Sequence, residues 1–339
     1  MWRPATPKGI EVKPGLAQPP FCNYPPAFVV AFSPLAHIDQ RDAFWLWDAT
    51  QFVFLAIAIL LLAREADPPL DLTTITLLAA LTIVSRPFRG TLIYAQVTPM
   101  LLAAMLASWR CSRRRWPALA GLFLALAALL KLFPAAAGGY FLFARRWREA
   151  AWAAAFFVAG AIASGVGNWI AFFRYGVTSS AGPLARNHLT ALAWTRNVAA
   201  PALAQLTGLH IPVAIFATAI AVVLIAAGAL QSIRTARQSA TQDGVTLGAW
   251  IAIALALSPV AWPHETILLL PLYLFASMAA IESIRGNRWQ DSRFIAGTVL
   301  LAIGLVPELI KAAPNAGFIG IVAAIAGGSL ICRASDSST

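Results

Sequence analysis

From Tyr24 onward, apolar runs of 13–20 residues alternate with short segments that carry most of the charge. Residues 24–36 are short and proline-interrupted, which predicts an interfacial or re-entrant helix and not a full crossing. Residues 44–63 are long enough to span, with Trp45 and Trp47 placed as interfacial anchors at the start. Residues 72–84 then cross outward, 86–90 form an outer turn, and 91–109 return to the cluster RCSRRR. The stretch from Ala118 to Arg148 has two apolar legs of about 14 residues on either side of Lys131 and Pro134, each rising about 21 Å against a hydrocarbon core of about 30 Å. Such a hairpin has to thin the membrane, lie buried among other helices, or be reached by an aqueous cavity. Further apolar segments follow at 150–170, 213–230, 245–257, 266–281, 294–310 and 318–331, with a polar-bearing loop at 171–210. The prediction is an all-α, polytopic membrane protein of about 11 spans, some of them short or re-entrant. It divides into an irregular segment 1–23, a membrane domain 24–332 and a tail 333–339.

Composition agrees with this class. Hydrophobic residues make up 59% of the 339 residues and charged residues 12%, and the mean hydropathy is +0.72, well outside the range of soluble domains. The net charge of +11 would suggest nucleic acid in a soluble chain. Here the arginines sit in short loops between apolar runs, so topology accounts for them and no nucleic-acid partner is expected. Arg113, Arg114 and Arg115, then Arg145, Arg146 and Arg148, mark cytoplasmic ends. The expected placement is the inner (plasma) membrane, with the N-terminus out and the C-terminus in. An outward N-terminus without a preceding span leads us to expect that a first helix precedes this chain. Cys22, Cys111 and Cys332 are far apart and imply neither a disulfide framework nor a metal site. Nucleotide-binding and metal motifs are absent from the sequence, so no cofactor is expected.

Lys131 is the residue that most needs an explanation. A lysine amid Leu, Ala and Phe costs about 2.5–3.5 kcal/mol on insertion scales, so it should snorkel or find an anionic partner. By the predicted topology Arg86, Arg89, Lys131, Arg186, His188, Arg196, His264 and Glu265 all fall on the outer side. Arg86 and Arg89 would also be unremarkable as solvated turn residues. In SPVAWPHE an interfacial role explains Trp262 but leaves His264 and Glu265 unexplained. His264 has the chemistry of an acid–base or hydrogen-bonding group. Gln96 reads either as a sugar-binding amide or as a polar helix cap. His37 and His210 read as interfacial, and Glu308 with Lys311 as a pair within one late span.

The combination YPP at Tyr24, AQVTPML at Ala95, LLKLFP at Leu129, NHLT at Asn187 and SPVAWPHE at Ser258 resembles glycosyltransferase family 87. These are membrane mannosyltransferases of the C-type superfamily that use polyprenyl-phosphate-mannose. Of the family's Gly-Gln-x-Asn element only Gln96 is kept, with Ala95 in the glycine position. Its Lys-x-x-Pro element is intact at Lys131 and Pro134. Ser-Pro-x-x-Trp-x-His is intact from Ser258 to His264, and Glu265 stands where a second His is frequent. The resemblance implies a C-type glycosyltransferase-like fold and an acceptor base on a loop ahead of Tyr24. In this chain the nearby acids are Glu11, Asp39 and Asp42.

The expected function is transfer of a sugar, mannose by preference, from a polyprenyl-phosphate-sugar donor to a lipid or glycan acceptor at the extracytoplasmic face. Lys131, Arg86, Arg89, Gln96, Asn187, His188 and Glu265 are the candidates for holding donor phosphate or sugar. Glu11, Asp39, Asp42 and His264 are the candidates for catalysis. The alternatives are a membrane transporter or lipid flippase, an inactive truncated homologue, or a scaffold. Membrane lipids are partners on any of these readings.

Overall fold

The computed structural model describes residues 24–176, 190–208, 211–235, 239–258, 261–309 and 316–336, and among these it is helical with no strand. The chain opens with α1 (Pro26–Phe32), continued by a 3₁₀ turn, Ser33–His37. It is the short, proline-started element expected. Next comes α2 (Gln40–Glu65), longer at both ends than its apolar run because Asp39 caps it, accepting a hydrogen bond from the Arg41 N–H at 2.8 Å. Then α3 (Leu72–Val84) starts on Asp71, whose carboxylate accepts from the Thr74 N–H at 2.7 Å.

The expected outer turn at Arg86 is instead a helix. Ser85 caps it and Pro87 occupies its first turn, so the segment that looked like a connection nucleates α4 (Arg86–Ile93). A break at residues 94–97 then bends the chain by 115° into α5 (Thr98–Arg113). The predicted span 91–109 is therefore a broken one. The hairpin follows as α6 (Pro117–Leu130), an extended Lys131, a 3₁₀ segment Phe133–Gly138 and α7 (Gly139–Phe143). Pro134 has no N–H for the Leu130 carbonyl and its ring would clash with that carbonyl, so α6 stops at Leu130 and Lys131 lies at the break.

Further along, α8 (Trp147–Ala163) and α9 (Val166–Ala171) are the arms of a second bend, of 99°. The expected loop 171–210 is largely helical where it is described. It contains α10 (Ala191–Trp194), capped by Thr190, a π turn Thr195–Ala199, and α11 (Ala200–Thr207). Its alanine-rich sequence, with Pro201 in a first helical turn, favours this over coil. The remaining helices are α12 (Val213–Thr235), α13 (Ala240–Leu257), α14 (Leu270–Arg285) after a 3₁₀ segment Pro263–Leu269, α15 (Ser292–Leu309) and α16 (Ala316–Asp336). α16 continues past the expected end of the membrane domain at residue 332.

The core is built around α13 and α5. Every residue of α13 from Thr241 to Ala256 is buried, whereas α12 presents Ile215, Val222, Val223, Leu230 and Ile233 outward. A helix apolar on its outer face beside one enclosed on all sides is the arrangement a lipid solvent favours. Small residues bring backbones close, as where α15 crosses α16: a Cβ on Gly327 would lie 2.6 Å from the Gly297 carbonyl oxygen. Among the described residues four helices are long and apolar enough to cross a membrane, or up to six if each bent pair is one span. The expected figure of about 11 is larger because it takes each shorter apolar helix as a crossing.

One end of the bundle is bound by charge. Glu65 of α2 pairs with Arg110, and with Arg113 at 2.7 Å. Asp243, which lies ahead of the predicted apolar segment 245–257, is a buried residue in the first turn of α13. It accepts hydrogen bonds from Trp109 Nε1 (2.9 Å), Tyr140 Oη (2.7 Å) and Arg146 Nη2 (3.2 Å). Three regions distant in sequence, α5, the stretch from α7 to the start of α8, and α13, are thereby fixed at the basic end.

Candidate functional site

The candidate site lies at the other end, where three helix breaks meet. α5 runs from its break at residues 94–97 toward Arg113, and α6 runs back from Pro117 to Lys131. At about 1.5 Å per residue, α5 of 16 residues and α6 of 14 separate the site from the basic end by about 21–24 Å.

Lys131 ends α6 and its backbone is extended, φ −154° and ψ 133°, which swings the side chain off the helix axis. Its ammonium forms an ion pair with Glu265 Oε1. The carboxylate is fully enclosed, and the lysine side chain is 16% exposed. The anionic partner demanded by a lysine in an apolar run is thus Glu265, which the sequence placed in the same region without pairing the two. The other carboxylate oxygen, Oε2, accepts the Trp262 N–H at 3.0 Å, closing the first turn of the segment Pro263–Leu269. The Lys131 Nζ also stands 5.8 Å from the Tyr24 ring centroid and 5.7 Å from that of Phe133, within cation–π range.

Gln96 connects to the same group. The Tyr24 hydroxyl donates to Gln96 Oε1 at 2.9 Å, and Gln96 Nε2 donates to the Tyr94 carbonyl at 3.0 Å. The Tyr94 ring lies 5.7 Å from the His264 ring. His264 is buried, its Nε2 has no hydrogen-bond partner among the described residues, and α4 approaches it so closely at Gly90 that a Cβ there would lie 3.1 Å from the histidine Cβ. The bend itself depends on Ala95, which adopts a left-handed φ of 47°. The Ala95 N–H bonds the Leu92 carbonyl and the Gln96 N–H bonds the Thr91 carbonyl, the two bonds of a Schellman turn, where glycine is the usual residue. The position at which the family pattern has glycine is the one whose backbone favours it.

The predicted residues thus divide. Tyr24, Gln96, Lys131, His264 and Glu265 converge. Arg86 and Arg89 are exposed on α4; Asp39 is occupied as a helix cap, and Asp42 is exposed in the first turn of α2, beside the positive end of the helix dipole. Glu11, Asn187, His188, Arg186 and His210 lie outside the described residues, as do Lys311 and the side chain of Glu308. Sequence reasoning missed Asp48 and Gln51 of α2 and read Trp47 as an interfacial anchor, whereas its ring is buried against Phe28 and Phe32 of α1. Trp47 Nε1, Asp48 Oδ1 and both ends of the Gln51 amide are buried and have no hydrogen-bond partner among the described residues. The available signal was a glutamine within the apolar stripe of a spanning helix.

Chemically, the cluster offers an ammonium with N–H donors beyond the one used by Glu265, a histidine nitrogen, an amide and aromatic faces. An anionic, hydroxyl-bearing ligand with an apolar tail matches these groups.

The chain is 29% identical over 286 residues to a polyprenol-phosphate-mannose-dependent alpha-(1-2)-phosphatidylinositol pentamannoside mannosyltransferase of Mycolicibacterium smegmatis, covering 82% of this chain and 66% of that protein. It is 28% identical over 308 residues to a polyprenol-phosphate-mannose-dependent alpha-(1-2)-phosphatidylinositol mannoside mannosyltransferase of the same organism, covering 84% and 68%. The chain therefore spans about two thirds of the length of these relatives. No solved structure matches it. The model of glycosyltransferase family 87 matches residues 21–259, a stretch holding Tyr24, Gln96 and Lys131 and ending next to the Trp262–Glu265 turn, and the chain belongs to that family.

Proposed function

We propose that the protein is an integral-membrane glycosyltransferase that moves mannose from a polyprenyl-phosphate carrier to a lipid or glycan acceptor. The observation that carries this reading is the Lys131–Glu265 pair, held at a helix break beside Gln96 and His264 in a member of this family. Both mycobacterial relatives are named for polyprenol-phosphate-mannose as donor and for phosphatidylinositol mannosides as acceptors.

In the reaction an acceptor hydroxyl oxygen attacks the anomeric carbon, the bond from that carbon to the phosphate oxygen breaks, and polyprenyl phosphate leaves with the electron pair. The hydroxyl proton passes to a carboxylate. A single displacement of this kind inverts the anomeric configuration. Charge grows on the leaving phosphate, and Lys131 is placed to meet it. One of its three N–H donors is engaged by Glu265, which leaves two for phosphate oxygens. His264 Nε2 is available to the sugar or the phosphate. The site lies at the end opposite Arg110, Arg113 and Arg146, so the positive-inside rule supports an extracytoplasmic site in the plasma membrane, an outward N-terminus and a cytoplasmic C-terminus. The crossings beyond four to six are then made by the shorter apolar helices, giving about 11.

The test is transfer of radiolabelled mannose from polyprenyl-phosphate-mannose to endogenous lipid in membranes containing the protein. The wild type is expected to label lipid and Lys131→Ala, compared at equal amounts of folded protein, to lose the activity. Full activity in Lys131→Ala would sink the assignment.

A further inference from the structure

The buried face of α2 is Trp47, Gln51, Leu55, Ala58, Ile59, Leu62 and Ala63. Gln51 is its one polar member apart from the Trp47 indole N–H, and it is 0% exposed. Asp48 and Gln51 are three positions apart and Trp47 and Gln51 four, so the three side chains are neighbours on the helix surface. Together they hold four buried polar atoms without a hydrogen-bond partner among the described residues. Burying an unsatisfied amide and a carboxylate oxygen is unfavourable, and an apolar residue at 51 would remove the penalty.

This turn of α2 adjoins the site on two sides. The Trp47 ring packs edge-on against Phe28 (6.2 Å) and Phe32 (5.1 Å) of α1, and Phe28 stacks on Tyr24 at 4.2 Å. Phe52, one turn beyond Asp48, packs on Phe88 of α4 at 5.1 Å, two residues before the glycine that touches His264. A carboxylate that accepts, an amide that both donates and accepts, an indole N–H that donates and a surround of aromatic rings are the groups that recognise a ring bearing several hydroxyls.

The geometry points to a polyol-binding subsite at Trp47, Asp48 and Gln51, which holds the hydroxyl-bearing ring of the acceptor beside the donor site. The term acceptor rests on the proposed transferase function; the binding itself does not. Asp48 accepts from one ring hydroxyl, the Gln51 amide bridges two, and the Trp47 N–H donates to a further oxygen.

The probe is methyl α-mannoside, titrated onto the full chain in lipid nanodiscs and read by saturation transfer to its ring protons. The wild type is expected to bind it. Gln51→Leu is expected to weaken binding about tenfold, the loss of roughly one well-made hydrogen bond, with a midpoint of thermal unfolding equal to or above that of the wild type. Asp48→Asn, of unchanged size, is expected to weaken binding as well and serves if Gln51→Leu does not fold. Absence of binding to the wild type, or binding unchanged in both variants, overturns the subsite. Unchanged binding together with normal mannosyl transfer would remove the subsite and leave the transferase standing. Binding lost in the variants with no transfer by the wild type would do the reverse.

Discussion

Lys131 and Glu265 are 134 positions apart in the chain, and their side chains form an ion pair in which the carboxylate is fully enclosed. The pair ties the break after α6 to the turn before α14. It also leaves a cation in an apolar region with donors to spare.

Removing one member should therefore do more harm than removing the charge of both. Lys131→Ala leaves Glu265 enclosed and unpaired, a change expected to destabilise by about 3–5 kcal/mol, whereas Lys131→Met with Glu265→Gln should recover most of that loss. Thermal unfolding of the purified variants in one detergent checks the order. A single variant as stable as the double one would contradict it.

At the basic end, Asp243→Ala should also destabilise by about 3–5 kcal/mol, because Arg146, Tyr140 and Trp109 lose a shared acceptor. α5 and α6 separate this network from the site, so the folded fraction should keep its affinity for the polyprenyl-phosphate donor. Unfolding midpoints and donor KM measured on one preparation separate the two effects.

Ala95→Gly is expected to stabilise. The left-handed backbone at φ 47° costs a residue with a Cβ about 1 kcal/mol, partly offset by the greater freedom of glycine in the unfolded chain. Ala95→Val should act in the opposite direction, since a β-branched residue tolerates this region least. Unfolding midpoints of the three proteins should fall in the order Gly, Ala, Val.

Much of this was legible in the sequence where local physics decides. α3 has the bounds its apolar run predicts, because Asp71 caps its start and the Ser85-Arg86-Pro87 sequence ends it. Lys131 was conspicuous because a charge in an apolar run has few harmless explanations. The rest depends on distant partners. Glu265 became the counter-ion of Lys131 only when two helix breaks met. Asp243 lies ahead of the apolar segment 245–257 among polar neighbours, yet Trp109, Tyr140 and Arg146 enclose it from distant parts of the chain. Asp48 and Gln51 were hidden for a different reason: a polar residue close to interfacial tryptophans resembles a helix end, and α2 extends one turn further than its apolar run.

On the proposed function the Lys131 ammonium serves the leaving phosphate. The most direct test compares wild type with Lys131→Met/Glu265→Gln, which keeps the pair's volume and removes both charges. Mannosyl transfer from polyprenyl-phosphate-mannose and thermal stability are measured on the same preparations. An unfolding midpoint near that of the wild type is expected, with transfer reduced at least about a hundredfold, the scale on which removal of one group stabilising developing charge is felt. Transfer at the wild-type rate in a stable double variant would contradict that role.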